Sequence, residues 1–358
     1  MHVITMKSNL RDYKVAFPDQ ADFLKNVASK PDSLFVVDSN VWRIHKDGCL
    51  RGLPDSDVVV FPVSEERKNL NSVEDLYDRL MDRSAKKNMT LISIGGGILQ
   101  DITGFAATTL YRGINWIFIP TTLLAQADSC IGSKTSLNYK RFKNLVGTFY
   151  PPSEIFVYAP FLATLRDVDF YSGLGEVVKL HIMGGAKTTD ELIELLPQII
   201  KRDPEILMVC VKTSLEIKMS YMEGDEFDLG RRNLLNFGHC FGHALETVSN
   251  YAIPHGQAVV IGMLFANIAA ESRGILSSQR ADYLYRELLL KTITEKGKSC
   301  DYDYNQILEA MKKDKKRVRQ GLVVVMMHDD FSFEKVTDFS DGELATTLER
   351  LKQVLTIA

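Results

Sequence analysis

The 358 residues, 45% hydrophobic and 25% charged, suffice for one large core or two ordinary ones. Because single cores rarely outgrow about 250 residues, we expect two domains. A net charge of −3 supplies no broad attraction for nucleic acid, so an anionic ligand would need a local cluster of cations. The N-terminal residues are polar throughout, and no stretch approaches about 18 continuous apolar residues; both observations argue against a secretory signal or a membrane anchor.

Residues 34–38, 58–61, 90–94 and 116–119 read as buried strands separated by longer helical stretches, the pattern of an open parallel α/β sheet. Between the second and third strands, Ser72 is placed to cap a helix with acidic residues in its first turn. Gly95-Gly96-Gly97 follows the third strand directly and sets bare backbone amides before a helical stretch. That arrangement suits a pyrophosphate or, equally, a tight strand-to-helix turn, since the full GxGxxG pattern is absent. Asp38 ends the first strand, where a carboxylate accepts bonds from ribose hydroxyls or forms a turn. A polar stretch from Pro120 then carries Lys134, Thr135, Lys143 and Asn144, and with Arg112 its lysines form a candidate phosphate or carboxylate cluster.

Pro151 and Pro152 interrupt regular structure and mark the approach to a domain boundary. We expect an α/β domain over 1–158 and a mainly α-helical domain over 159–358, the latter with helical patterns over 190–200, 203–222, 232–249 and 257–273. In this half, Glu176 and Lys179 stand in GlyLeuGlyGluValValLys. His239, His243 and His255 are three of only seven histidines. His239 and His243 are four apart, so one helix face presents both to a shared metal. Imidazoles with a carboxylate suit zinc or cobalt, and three protein ligands leave positions for substrate oxygens. Cys49, Cys130, Cys210, Cys240 and Cys300 form no CxxC pair, which fits reduced thiols in a cytoplasm rather than disulfides.

Taken together, GGGILQD, RG, PTTLLAQADS, KT, KN, GLGEVVK, LLNFGHCFGHALE and HGQAV occur in the order and spacing of the dehydroquinate synthase family, and the chain resembles that family over about residues 30–320. The resemblance implies a Rossmann-like N-terminal domain with a helical C-terminal one. It also implies a cycle in which bound NAD oxidises a substrate hydroxyl, phosphate is eliminated, the ketone is reduced back and an aldol closure follows. The temporary ketone acidifies the neighbouring C–H, and a metal on the reacting oxygens stabilises their charge.

By the same matching, Glu65, Lys68, Gly96, Gly97, Asp101, Thr121 and Thr122 contact NAD. Asn40, Ile98, Lys134 and Lys143 are counted beside them, and Phe161 and Thr164 line the adenine end. The implied metal ligands are Glu176, His239 and His255, which leaves His243 for substrate phosphate and replaces the plain HxxxH reading. Lys134, Asn144, Asn236 and His243 would hold the phosphate, Lys179 and Asp128 the reacting hydroxyls, and Arg112 a neighbouring subunit's site in a homodimer. Lys218 and Arg232 match positions that bind a substrate carboxylate, which favours 3-deoxy-D-arabino-heptulosonate 7-phosphate. An Arg fork left unpaired by a neutral group would cost about 1–3 kcal/mol.

Departures from the family pattern are Ser133, Ser136, Cys240, Arg166 and the C-terminal MetMetHisAspAsp segment. They keep open a sister cyclase acting on sedoheptulose 7-phosphate or on glucose 6-phosphate, and a metal-dependent polyol dehydrogenase stands further off. Whether Lys315 or Lys316 reaches substrate is also open.

Overall fold

The computed structural model describes residues 2–30, 32–140, 142–313 and 321–356; Lys315 and Lys316 lie outside the described residues. The chain forms two compact units, Met1–Leu165 and Arg166–Ala358. Pro151 and Pro152 precede the last strand of the first unit's main sheet, so that sheet continues past them.

In the first unit, the elements run β1 (His2–Met6), β2 (Tyr13–Phe17), α1 (Phe23–Ala28), β3 (Ser33–Asp38), α2 (Ser39–His45), β4 (Val58–Phe61), α3 (Leu70–Met81), β5 (Thr90–Gly95), α4 (Gly97–Thr109), β6 (Asn115–Pro120), β7 (Lys134–Tyr139), β8 (Phe142–Phe149) and β9 (Glu154–Phe156). Seven strands make one sheet in the order β1-β2-β9-β6-β5-β3-β4. Every pairing in it is parallel except the antiparallel β1–β2 edge. The four strands read from sequence are β3, β4, β5 and β6, whose Val, Ile and Phe side chains are buried as continuous runs because a parallel sheet is covered on both faces.

Phe35, Val37, Ile92, Ile94, Ile117 and Ile119 form the centre of one core cluster, each contributing on the order of 1.5–3 kcal/mol by burial. Helix α3 buries Val73, Leu76 and Leu80, the i, i+3, i+7 stripe of an amphipathic crossover. Its cap is Asn69, not Ser72: the Asn69 side chain accepts from the Ser72 amide at 3.0 Å, so Ser72 lies inside the first turn. The antiparallel hairpin β7–β8 stands apart from the main sheet.

The second unit continues with α5 (Asp167–Met183), α6 (Ala186–Ile200), α7 (Pro204–Met222), α8 (His239–Val248), α9 (His255–Ser272), α10 (Ser278–Leu284), the short α11 (Leu290–Thr292), α12 (Tyr304–Lys312), β10 (Leu322–Met327), β11 (Phe333–Phe339) and α13 (Asp341–Leu355). Asp203 caps α7 by accepting from the Glu205 and Ile206 amides, with Pro204 in the first turn where its missing N–H costs nothing. Helix α9 is the centre of the unit, with every residue from Gly256 to Ala270 buried.

The stretch 232–249, read as one helix, is two. A 3₁₀ turn, Arg231–Asn236, ends before Gly238, whose φ of 77° is left-handed, and α8 starts afresh at His239. Arg232 therefore does not open the helix that bears His239. No helix among the described residues is long and apolar enough to cross a membrane.

Candidate functional site

In the first unit, β4 and β5 flank β3 on opposite sides, so the chain reverses its winding there and the carboxyl ends of β3 and β5 part. Ligands of open α/β sheets bind at such switch points. Asp38 ends β3 and Gly95 ends β5, close enough that a Cβ added to Gly95 would lie 3.4 Å from the Asp38 Cβ. Asp38 also caps α2, accepting from the Asn40 amide at 2.7 Å. Gly96 is the N-cap of α4, and a Cβ there would meet Thr122 at 3.0 Å; the Thr121 amide donates to Gly95 at 2.9 Å. The α4 N-terminus, with Gly97 and Ile98 in its first turn, thus keeps its amides beside the β6 end.

Beyond it, Lys68 is buried and pairs with Asp101 at 2.5 Å and with the Asn144 amide oxygen at 2.7 Å. Ser136 bonds both Asp101 oxygens and Asn144. Burial pushes the Asp101 carboxyl up, opposed by Lys68 and by the Ser136 bonds. Glu65 accepts from Asn138 at 2.9 Å and lies 3.7 Å from Lys143. The hairpin β7–β8 is what collects these groups, and Ser136 and Asn138 are members that sequence reading did not single out.

Lys134 opens the hairpin with an exposed side chain, and Asn144 adopts a left-handed φ of 50°. Arg112 stands on a separate exposed turn, where Tyr111, Arg112 and Gly113 all have positive φ. Asp128 lies in the π-turn Ala125–Ser129. Phe161 is buried against the rings of His45 and Tyr158, and Thr164 shares a 3.0 Å bond with His45.

In the second unit, α5 carries Glu176 fully buried, with Lys179 Nζ at 2.6 Å from Oε2. His239 Nε2 lies 3.4 Å and His255 Nε2 3.0 Å from Glu176 Oε1. His243 joins them: one ligand atom from each of His239, His243 and His255 falls within 4.8 Å of the others. Neither Glu176 oxygen makes a hydrogen bond of good geometry, although both are buried. A buried carboxylate facing two imidazole nitrogens through one oxygen, with a third imidazole close by, fits a divalent cation such as zinc or cobalt.

Burial would push Glu176 up, yet Lys179 and His239 hold it well below the usual carboxylate range. Burial and the Lys179 charge push His239 down. Against its own burial, His255 is pushed up to about 10 by Glu246 and Glu176. Glu246, on α8 and buried, is a residue that sequence reading missed; its signal was the spacing of seven from His239, two turns along one helix face.

Three glycines adjoin the three residues aligned as metal ligands. Gly175 precedes Glu176, and a Cβ on it would come within 2.2 Å of the Gly256 carbonyl oxygen, next to His255. Gly238 precedes His239, and a Cβ on Gly262 would come within 1.8 Å of its carbonyl oxygen. The α5, α8 and α9 backbones therefore touch where the ligand side chains begin. In the same unit Lys218 and Arg232 are buried, at 7% and 4% exposure, whereas Arg231 is exposed and covers the Tyr221 ring. Arg232 bonds the Glu226 carbonyl, and Asn236 donates to the Asn233 carbonyl at 2.7 Å.

A parallel sheet with a glycine turn at its switch point, joined in one chain to a helical unit with a histidine–carboxylate cluster, defines a class of dinucleotide-type, metal-type enzymes. Residues 58–172 match the family model of the 3-dehydroquinate synthase N-terminal region, and 173–317 that of the C-terminal region. A 3-dehydroquinate synthase of Clostridium tetani is 34% identical over 348 residues, 97% of this chain and 91% of that one. The chain belongs to the 3-dehydroquinate synthase family. Two solved structures share its fold. One is a 2-epi-5-epi-valiolone synthase from Streptomyces hygroscopicus subsp. jinggangensis with NAD+ and Zn2+ bound, at TM-score 0.83, 23% identity and 99% of each chain. The other is a 2-deoxy-scyllo-inosose synthase with carbaglucose-6-phosphate, NAD+ and Co2+, at TM-score 0.80 and 20% identity, with 98% of this chain and 100% of that one covered.

Proposed function

We infer that this protein converts 3-deoxy-D-arabino-heptulosonate 7-phosphate to 3-dehydroquinate and inorganic phosphate, with NAD and one divalent ion, zinc or cobalt, as resident cofactors. The family membership and the Clostridium tetani relative support the reaction, and the neutral-sugar alternatives lack the acid group. The observation that carries the choice of an acid is the burial of both Lys218 and Arg232, which are not ordinary surface charges. Buried cations are stabilised by anions, the Asp225 carboxylate at Arg232 among them, and an Arg fork also matches a substrate carboxylate.

Glu176, His239 and His255 hold the ion in this reading. When bound, NAD supplies a reversible hydride acceptor and the ion stabilises negative charge on oxygen. His243, with Lys134, Asn144 and Asn236, binds the phosphate; Lys179 and Asp128 orient and exchange protons with the reacting hydroxyls. Glu65, Lys68, Gly96, Gly97, Asp101, Thr121 and Thr122 bind the dinucleotide, with Asp38, Asn40, Ile98, Lys143, Phe161 and Thr164 around it. We place the protein in the cytoplasm as a homodimer in which Arg112 serves the neighbouring subunit.

The test is phosphate release from a panel of 3-deoxy-D-arabino-heptulosonate 7-phosphate, sedoheptulose 7-phosphate and glucose 6-phosphate, with NADH absorbance followed in parallel. The acid should give the highest kcat/KM without accumulating NADH. A higher kcat/KM on either neutral sugar overturns the assignment, and stoichiometric NADH release would make the protein a dehydrogenase.

A further inference from the structure

We propose that Glu246 is a positioning residue for the metal centre, fixing the tautomer and the ring plane of His255; the proposal rests on the metal reading given above. His255 Nδ1 lies 3.1 Å from Glu246 Oε2. A carboxylate only accepts, so Nδ1 carries a proton for Glu246, and Nε2, which faces Glu176 at 3.0 Å, is the nitrogen that would exchange its proton for an ion. Glu246 is 4% exposed and springs from α8, whereas His255 opens α9, so the contact also fixes the imidazole plane across two helices.

His239 is oriented differently. Its Nδ1 donates to the Phe237 carbonyl at 3.1 Å, a neutral acceptor on its own chain segment. Both rings thus present Nε2 toward Glu176 Oε1, but only His255 has a carboxylate behind it. A carboxylate behind a ligating imidazole strengthens it as a donor, and removing such a partner costs about 10–100-fold in metal affinity. The paired use of a carbonyl and a carboxylate makes the two imidazoles unequal donors, with His255 the stronger.

The test uses the full-length protein, loaded with zinc for chelator competition and with cobalt for visible spectroscopy. Glu246→Gln keeps the size of the side chain and an oxygen for Nδ1–H but removes the charge; Glu246→Ala removes both. Zinc affinity should fall about tenfold in the first variant and nearer 100-fold in the second. The cobalt ligand-field bands should shift in both, while NAD affinity and the unfolding midpoint of the metal-free Gln variant stay at parental values. Parental zinc affinity and an unchanged cobalt spectrum in Glu246→Gln would overturn the proposal, even if the alanine variant failed to fold. Absence of metal binding by the parent protein would instead overturn the metal reading itself, so the two failures are distinguishable.

Discussion

His255 reaches the cluster from the first turn of α9, and its backbone position is held by helix packing rather than by its side chain. His255→Ala should therefore lose bound metal and turnover but keep its far-UV circular dichroism, as metal analysis of the purified variant will test. His243→Ala should keep the metal and raise KM for the phosphorylated substrate; loss of metal there would return the site to the plain HxxxH arrangement. Arg232→Ala removes a buried fork, and the loss of a charged hydrogen-bonded partner, about 1.5–3 kcal/mol, corresponds to roughly a 10- to 100-fold lower kcat/KM on the acid. An unchanged kcat/KM would remove the carboxylate argument. The three histidines were legible because histidine is scarce and they crowd into a short stretch. Glu246 was not, because a glutamate inside a helix reads as a solvated face until the fold turns that face inward.

Helix α5 illustrates the same limit one level up. It bears Glu176 and Lys179, yet its residues from Gly173 to Met183 are all buried, so no polar stripe marks its period and only its motif could be read. The parallel strands were legible for the opposite reason: burial on both faces leaves unbroken Val, Ile and Phe runs. Hairpin β7–β8, which collects Lys68, Asp101 and Asn144, hid in a polar sequence whose partners lie far along the chain. The glycine contacts between helices make a sharp prediction. Gly262→Ala forces a methyl against the Gly238 carbonyl and should cost about 1–3 kcal/mol or more, read as a lower urea midpoint at unchanged m-value. A parental midpoint would mean that α8 and α9 part at little cost.

For the molecule as a whole, the chain divides into two compact units, and each is expected to respond to the ligand its own residues hold. Chelation should raise hydrogen exchange in peptides around Glu176, His239 and His255, whereas NAD should lower it around Gly96 and Thr121, because each ligand stabilises only the state that binds it. Uniform responses to both would contradict separate binding units. Acid acts on the second unit through α13, where Ser340 and Glu343 form a capping box and Arg273 pairs with Glu343 at 2.6 Å. The Arg273 bond, with the Ser340 bonds, draws the Glu343 carboxyl down to about 2, below its unfolded value. Its contribution is thus present above the ordinary glutamate range and is lost as pH falls toward about 2. Glu343→Gln should flatten that part of the acid unfolding curve, followed by circular dichroism.

The glycines beside the ligands carry one more consequence, for mutational tolerance. A saturation library scored for both abundance and turnover should divide the neighbourhood into alternating kinds of intolerance. Substitutions at His239 and His255 should leave abundant, silent protein, while those at Gly175, Gly238 and Gly256, and at Glu176 with its buried Lys179 partner, should deplete the protein itself. Each ligand position and its glycine neighbour would then tolerate change as a dipeptide, the side chain set by the chemistry and the glycine by the helix contact behind it.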